Sequence, residues 1–315
     1  MNKIPCVDLS DFLSHTLEKK KTFVQTLGNA FDKIGFVLLE GHYLTPDISN
    51  ELYAQIKLFF SLPEKTKKKY EIEGMAGQRG YTSFGKESAK GRKEADLKEF
   101  WHFGQYRTPP SNNAYPENVW VEEVPEFNPI GKKAFQLLEK TGSTLLQAIA
   151  LYLELDQHYF DKYVMSGNSI LRPIHYPPIK KEPYNALRAA PHGDINLITL
   201  LMGAHGKGLQ VQTRDNKWID AIATEGQLIV NLGDMMARLT NNRLKSTPHQ
   251  VVNPPRESWG ESRYSIPFFM HPNPDMPLNC LTNCITETRP KSFSDCTAGK
   301  YLDQRLVELG LKQSL

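Results

Sequence analysis

The chain has 315 residues, 40% hydrophobic and 23% charged, which excludes a disordered polymer and allows a sizeable buried core. Its formal net charge of +3 is too small to argue for a nucleic-acid partner. No apolar run approaches membrane-spanning length, and residues 197–204, the best candidate, fall far short.

The first residues, Met1-Asn-Lys-Ile-Pro-Cys-Val-Asp, carry no apolar signal core, so a cytoplasmic location is expected. Phe23, Leu27, Phe31 and Ile34 recur at helical spacing until Gly35 ends the segment. Phe36-Val-Leu-Leu-Glu40 reads as a short strand. Thr45-Pro46-Asp47 is a helix start, with a capping hydroxyl and a proline where its missing N–H costs nothing. Leu52, Ile56, Phe59 and Phe60 form the apolar face of that helix. Basic clusters at 64–69 and 86–98 are interspersed with acids and read as solvated surface. The stretch 74–128 is weakly patterned and rich in Gly, Pro and aromatics; a loop of that length is usually functional. Residues 131–155 return to helical spacing, with Phe135, Leu138, Leu145, Ile149 and Leu153 inward.

From residue 169 the pattern changes to short strands, at 169–176, 197–203, 208–213, 218–221, 227–232, 249–252 and 263–269, which implies a sandwich or barrel. A final helix at 297–311 is amphipathic through Tyr301, Leu302, Leu306 and Leu309. The chain therefore reads as one domain: a helical part with edge strands (1–165), a β core (166–295) and a C-terminal helix (296–315). Cys6, Cys280, Cys284 and Cys296 lack the second close pair that a zinc site needs, and reduced thiols are expected.

The chemistry concentrates in Ala190-Pro-His192-Gly-Asp194 and Ser246-Thr-Pro-His249. Two histidines and one carboxylate form the facial ligand set that holds non-heme iron(II) and leaves coordination positions open. His192 and Asp194, two apart, would face the same way on a strand. Taken alone, a His-x-Asp pair reads as a surface hydrogen-bonded pair, and His249 as structural. Arg263-Tyr-Ser265 shifts the balance. It falls in an expected strand where Arg263 and Ser265 share a face, and an arginine among Ile266, Phe268 and Phe269 needs a buried anion. A planar fork suits a carboxylate. His205 and His271 read as turn residues, and Asn231 and Asp234 as turn stabilisers. His102 either lines a pocket or joins an aromatic cluster. No phosphate loop and no convincing nucleophile triad is present.

These motifs, with Ile4-Pro-Cys-Val-Asp8, Gly35-Phe-Val-Leu-Leu-Glu-Gly-His42, Gly208-Leu-Gln-Val and Val230-Asn-Leu-Gly-Asp234, make the chain resemble the isopenicillin N synthase-like family of iron(II)- and 2-oxoglutarate-dependent oxygenases over nearly its whole length. The resemblance implies a mostly β fold with flanking helices around a double-stranded β-helix (jelly-roll) core. It implies His192, Asp194 and His249 as iron ligands, and Arg263, Ser265 and Tyr176 as the grip on the distal carboxylate of 2-oxoglutarate. Iron(II), 2-oxoglutarate and O2 then support oxidation of a C–H bond, hydroxylation first, with release of succinate and CO2. Desaturation or ring closure are variants. Halogenation is disfavoured because Asp194 fills the halide's position. Two departures stand out: Ile174 replaces an asparagine frequent two residues before the tyrosine, and Gln250 replaces an arginine frequent in plant relatives.

Two rivals remain at the level of sequence. One is an oxidase or cyclase on the same fold that uses no 2-oxoglutarate and binds its substrate's carboxylate at Arg263. The other is an inactive binding or regulatory protein. For the substrate pocket, Arg172, Phe100, Phe268, Arg79, Tyr81 and Arg188 are candidates, Arg172 foremost because it shares a strand face with Tyr176. The available arginines suggest a small anionic or zwitterionic substrate.

Overall fold

The computed structural model describes residues 4–73, 78–87, 94–107, 115–205 and 207–308, with backbone alone at 203–205. Its strands are β1 (Cys6–Asp8), β2 (Phe36–Glu40), β3 (Gly80–Thr82), β4 (Glu99–Gly104), β5 (Ile170–Leu171), β6 (Ile174–Tyr176), β7 (Ala189–His192), β8 (Ile198–His205), β9 (Leu209–Gln212), β10 (Trp218–Asp220), β11 (Leu228–Leu232), β12 (His249–Val251) and β13 (Arg263–Met270). They form a nine-stranded sheet in the order β1-β2-β11-β8-β13-β5-β4-β3, with β6 pairing β13 and β4. A second sheet runs β10-β9-β12-β7. Together they make the jelly-roll core of a mostly β fold with flanking helices.

The large sheet separates two environments by strict alternation. One row runs Val37, Val230, Leu200, Phe268 and Leu171, each opposite the next across the ladder. These residues join the main apolar core with Phe135, Leu138 and Leu145 of the helix Phe127–Tyr152. The adjacent row runs Phe36, Asn231, Thr199 and Phe269, again in register. This row faces the barrel interior, where a smaller apolar cluster gathers Phe36, Leu38, Phe100, Ile174, Tyr176, Leu201 and Ile229.

The first half of the chain builds both edges of this sheet. Helix Leu17–Lys33 buries Phe23, Leu27 and Phe31. It stops at Gly35, whose φ of +79° suits glycine and whose added Cβ would strike Thr247. Helix Pro46–Ser61 begins as its sequence requires, with the Thr45 hydroxyl accepting from the Ile48 N–H at 3.5 Å.

The structure departs from expectation in several places. The stretch 74–128 is not only loop: it contributes β3, β4 and the start of the long helix. All six residues of β4 are buried, so the alternation that marks a strand is absent from its sequence. Residues 74–77, 88–93 and 108–114 of that stretch lie outside the described residues, as does Leu309. The single strand expected at 169–176 is two, because Arg172 and Pro173 interrupt the ladder and proline has no N–H to give. The basic clusters are not wholly solvated. Lys67 is buried against Glu99 at 2.7 Å, and Lys98 is buried against Asp96 at 2.8 Å and Glu87 at 3.0 Å. His205 ends β8 rather than sitting in a turn.

Candidate active site

His192 and His249 are direct partners on β7 and β12 of the smaller sheet. Their rings lie 4.5 Å apart, centroid to centroid. His192 Nδ1 lies 2.7 Å from the Ala190 carbonyl oxygen and His249 Nδ1 lies 3.3 Å from that of Thr247. A carbonyl only accepts, so both rings carry their proton on Nδ1 and leave the Nε2 lone pair for a ligand. The edge of Phe36 abuts His249, with ring centroids 5.7 Å apart.

Asp194 does not share a strand with His192, because β7 ends at His192. The carboxylate reaches the histidines from the turn that follows. Its Oδ2 accepts from Thr199 Oγ1 at 2.6 Å and Asn231 Nδ2 at 2.7 Å, both on the interior row of the large sheet. Its Oδ1 is left facing His249 Nε2 at 3.8 Å. Asn231 therefore sits in a strand and orients Asp194, rather than stabilising a turn. Asp234 starts the helix Asp234–Leu239 and donates its backbone N–H to the Asp194 carbonyl at 2.7 Å.

One donor atom from each of His192, Asp194 and His249 lies within 4.8 Å of the others. Two neutral imidazole nitrogens and one carboxylate oxygen, each oriented by a second hydrogen bond, fit the needs of an iron(II) ion. Burial lowers the His192 pKa to about 4, with the neighbouring His249 adding to the effect. Burial works to raise the Asp194 pKa, but His249, His192, Thr199 and Asn231 outweigh it and hold the carboxyl below its ordinary value.

Arg263 pairs with Tyr176 across β13 and β6, and its guanidinium lies 4.9 Å from the tyrosine ring centroid. Arg263 is 2% exposed, and its Nε and Nη1 have no hydrogen-bond partner among the described residues. Ser265 is buried two residues along. Arg188 is also buried; it lies 5.9 Å from the same Tyr176 ring and donates to the Glu261 carbonyl at 3.1 Å. The proximity of Arg263 adds to burial in lowering the Arg188 pKa. His175 fixes this strand pair: Glu99 lies 2.7 Å from its Nδ1 and Ser262 Oγ 3.0 Å from its Nε2. A cavity of about 220 Å³, lined by Leu201, Leu209, Ala221 and Ile229 among others, opens onto Arg263.

The other expected pocket residues divide. Arg172 lies over Phe100 at 4.4 Å, inside the barrel. Phe268 is fully buried on the helix-facing side, edge-on to Phe135 at 5.1 Å. Its neighbour Phe269 is the one that faces the interior. Arg79 is sealed against Gly104 and donates to the Gln78 and Pro116 carbonyls at 2.7 and 3.1 Å. Tyr81 packs on Phe59 and hydrogen-bonds Glu99. His102 accepts from Arg172 Nε, so it meets both an arginine and the aromatic Phe100. His271, expected in a turn, follows β13 directly. Burial lowers its pKa to about 4, and the charges of Asp194 and Arg172 both act on its ring.

Comparison with known proteins agrees with this geometry. Residues 4–123 match the model described as non-haem dioxygenase in morphine synthesis N-terminal, and residues 167–272 match that of the 2OG-Fe(II) oxygenase superfamily. The proline hydroxylase buaE of Petromyces alliaceus is 30% identical over 96% of this chain and 98% of its own. Among solved structures, a putative 2OG-Fe(II) oxygenase family protein from Caulobacter crescentus has 42% identity and a TM-score of 0.87, covering 98% of this chain and 99% of its own. A full-length Neurospora crassa protein solved in complex with alpha-KG and thymine has 29% identity and a TM-score of 0.85, covering 96% of each chain. The chain belongs to the 2OG-Fe(II) oxygenase superfamily. Its cofactor is iron(II), and its co-substrates are 2-oxoglutarate and O2. Among the described residues no helix is long and apolar enough to cross a membrane.

Proposed function

We propose that the protein hydroxylates a C–H bond of a small molecule, with His192, Asp194 and His249 holding iron(II) and Arg263, Ser265 and Tyr176 holding the distal carboxylate of 2-oxoglutarate. The observation that carries the second half is Arg263. A buried guanidinium with two unpartnered donors is costly unless an anion completes it. Arg188 adds a second positive charge beside the same tyrosine, which suits a dianionic co-substrate.

When bound, iron(II) with 2-oxoglutarate supplies the oxidising chemistry: one oxygen atom of O2 goes to the substrate, the other to succinate, and CO2 leaves. The chain's own residues supply orientation. Ala190 and Thr247 fix the histidine tautomers, and Thr199 and Asn231 turn one carboxylate oxygen of Asp194 inward. The Phe36 ring packs edge-on against His249. Proline hydroxylase buaE and the thymine-bound Neurospora crassa protein both point to small cyclic molecules as the substrate range.

The test is substrate-independent. The iron(II) protein should consume 2-oxoglutarate slowly and form succinate without added substrate, and His192→Ala should abolish both iron binding and turnover. Succinate formation that survives in His192→Ala would refute the assignment.

A further inference from the structure

A second arginine in the barrel stands in a different environment from Arg263, and it bears on what the substrate is. Arg172 lies over Phe269 at 5.1 Å as well as over Phe100. Phe269 is the ladder partner of Thr199, whose hydroxyl holds Asp194. Cross-strand partners share a face, so Arg172 stands beside the metal ligands and not in the helix-facing core. A chain of contacts ties it to the opposite ligand. Arg172 Nη1 lies 3.4 Å from both Glu87 oxygens, and Glu87 Oε1 is 3.0 Å from Lys98. Lys98 is 2.8 Å from Asp96, which accepts from the Ala190 N–H at 3.1 Å. The Ala190 carbonyl in turn fixes His192.

Resting on the assignment of His192, Asp194 and His249 as the oxidising centre, we propose that the substrate is a small uncharged molecule presenting a carbonyl beside an N–H, an amide or imide edge read by Arg172 and Glu87. Arg172, Lys98, Glu87 and Asp96 carry two positive and two negative charges, so the cluster is already neutral. A carboxylate brought to Arg172 would lie against Glu87. The ammonium of a zwitterion brought to Glu87 would lie against Lys98. Each meets a like charge beside half-buried side chains, where such contacts are penalised. A neutral carbonyl and N–H meet no such penalty. The Arg172–Glu87 contacts are long, at 3.4 Å, and both run through Nη1, so among the described residues the pair presents a donor and an acceptor side by side to a ligand. Its geometry is fixed beforehand, because His102 holds Nε and two aromatic rings hold the guanidinium plane. On this proposal the arginines counted in the sequence do not by themselves imply an anionic or zwitterionic substrate, because Arg172 is paired with Glu87 and Arg79 packs against Gly104.

The test uses the iron(II) protein loaded with 2-oxoglutarate under argon, titrated calorimetrically with 2-piperidone, glutarimide and uracil as neutral probes and with L-proline and benzoate as charged ones. At least one neutral probe should bind, and neither charged probe should. Arg172→Gln and Glu87→Gln should each weaken that binding about tenfold, the loss expected for one hydrogen bond to a charged group. Affinity for 2-oxoglutarate, measured on the same samples, should stay within about twofold, which also reports that each variant is folded. The proposal is overturned if a charged probe binds in preference, if no neutral probe binds up to about 10 mM, or if binding ignores both substitutions. Failure of the unmodified protein to bind 2-oxoglutarate would instead sink the assignment of the site, and this inference with it.

Discussion

Two arginines enter the same barrel, and the protein treats them in opposite ways. Arg263 is buried with two donors that have no partner among the described residues, next to Arg188, around one tyrosine ring. Arg172 is held by His102, Glu87 and two phenylalanines before any ligand arrives. The first is an uncompensated charge and calls for an anion. The second is a compensated one and selects by hydrogen-bond pattern. Residue type alone does not distinguish them; the surrounding carboxylates do.

Both arginines owe their setting to the face of the large sheet they occupy, and that is where the largest effect is expected. Phe268→Ala should cost about 3–5 kcal/mol of stability, because the ring is fully buried against Phe135. Phe269→Ala should cost clearly less and should act on substrate binding. Equal losses in denaturant unfolding would mean that the two faces are wrongly assigned. Next comes the metal side. Asn231→Leu removes one of two hydrogen bonds to Asp194 Oδ2 and should weaken iron(II) binding about tenfold, as measured by competition with a chelator. The effect at Arg188 is smaller. Arg188→Gln should weaken 2-oxoglutarate about fivefold, in keeping with a second, non-contacting charge, and should leave neutral probes alone. If it disturbs the probes instead, the separation of the two arginine sites is broken.

A separate effect concerns pH. His271 has a folded pKa of about 4 against an ordinary value of 6.5. Between these values the unfolded chain binds the proton more readily, so stability rises with pH across that window and is lost as pH falls from 6.5 towards about 4. Thermal unfolding of the metal-free protein should follow this slope, and His271→Gln should reduce it, with His192 supplying the remainder. A slope unchanged by His271→Gln would show that the His271 ring is not held neutral.

Much of the site is legible in the sequence, and the failures are instructive. The histidines, Asp194, Arg263 and Ser265 can be read because short motifs carry them. Asp194 joins them by a different route from the expected one: strand alternation from His192 does not apply, since the strand ends there and Thr199 and Asn231 turn the carboxylate in. Phe268 is an avoidable error. Alternation counted from Arg263 and Ser265 selects Phe269 for the interior. Strand β4 is invisible because all six of its residues are buried, which erases the period of two. Glu87 and Lys98 look like part of a solvated charge run. Only tertiary structure brings them beneath Arg172, and no local pattern records that.

The most direct test of the central claim compares 2-oxoglutarate with pyruvate, which has the same 2-oxo acid end but no distal carboxylate. Binding to the iron(II) protein would be followed under argon by the visible charge-transfer absorption of the chelate. The unmodified protein should prefer 2-oxoglutarate by about a hundredfold or more, and Arg263→Gln should erase most of that preference while still binding iron. A preference that survives Arg263→Gln, or one that never existed, would contradict the role assigned to this arginine.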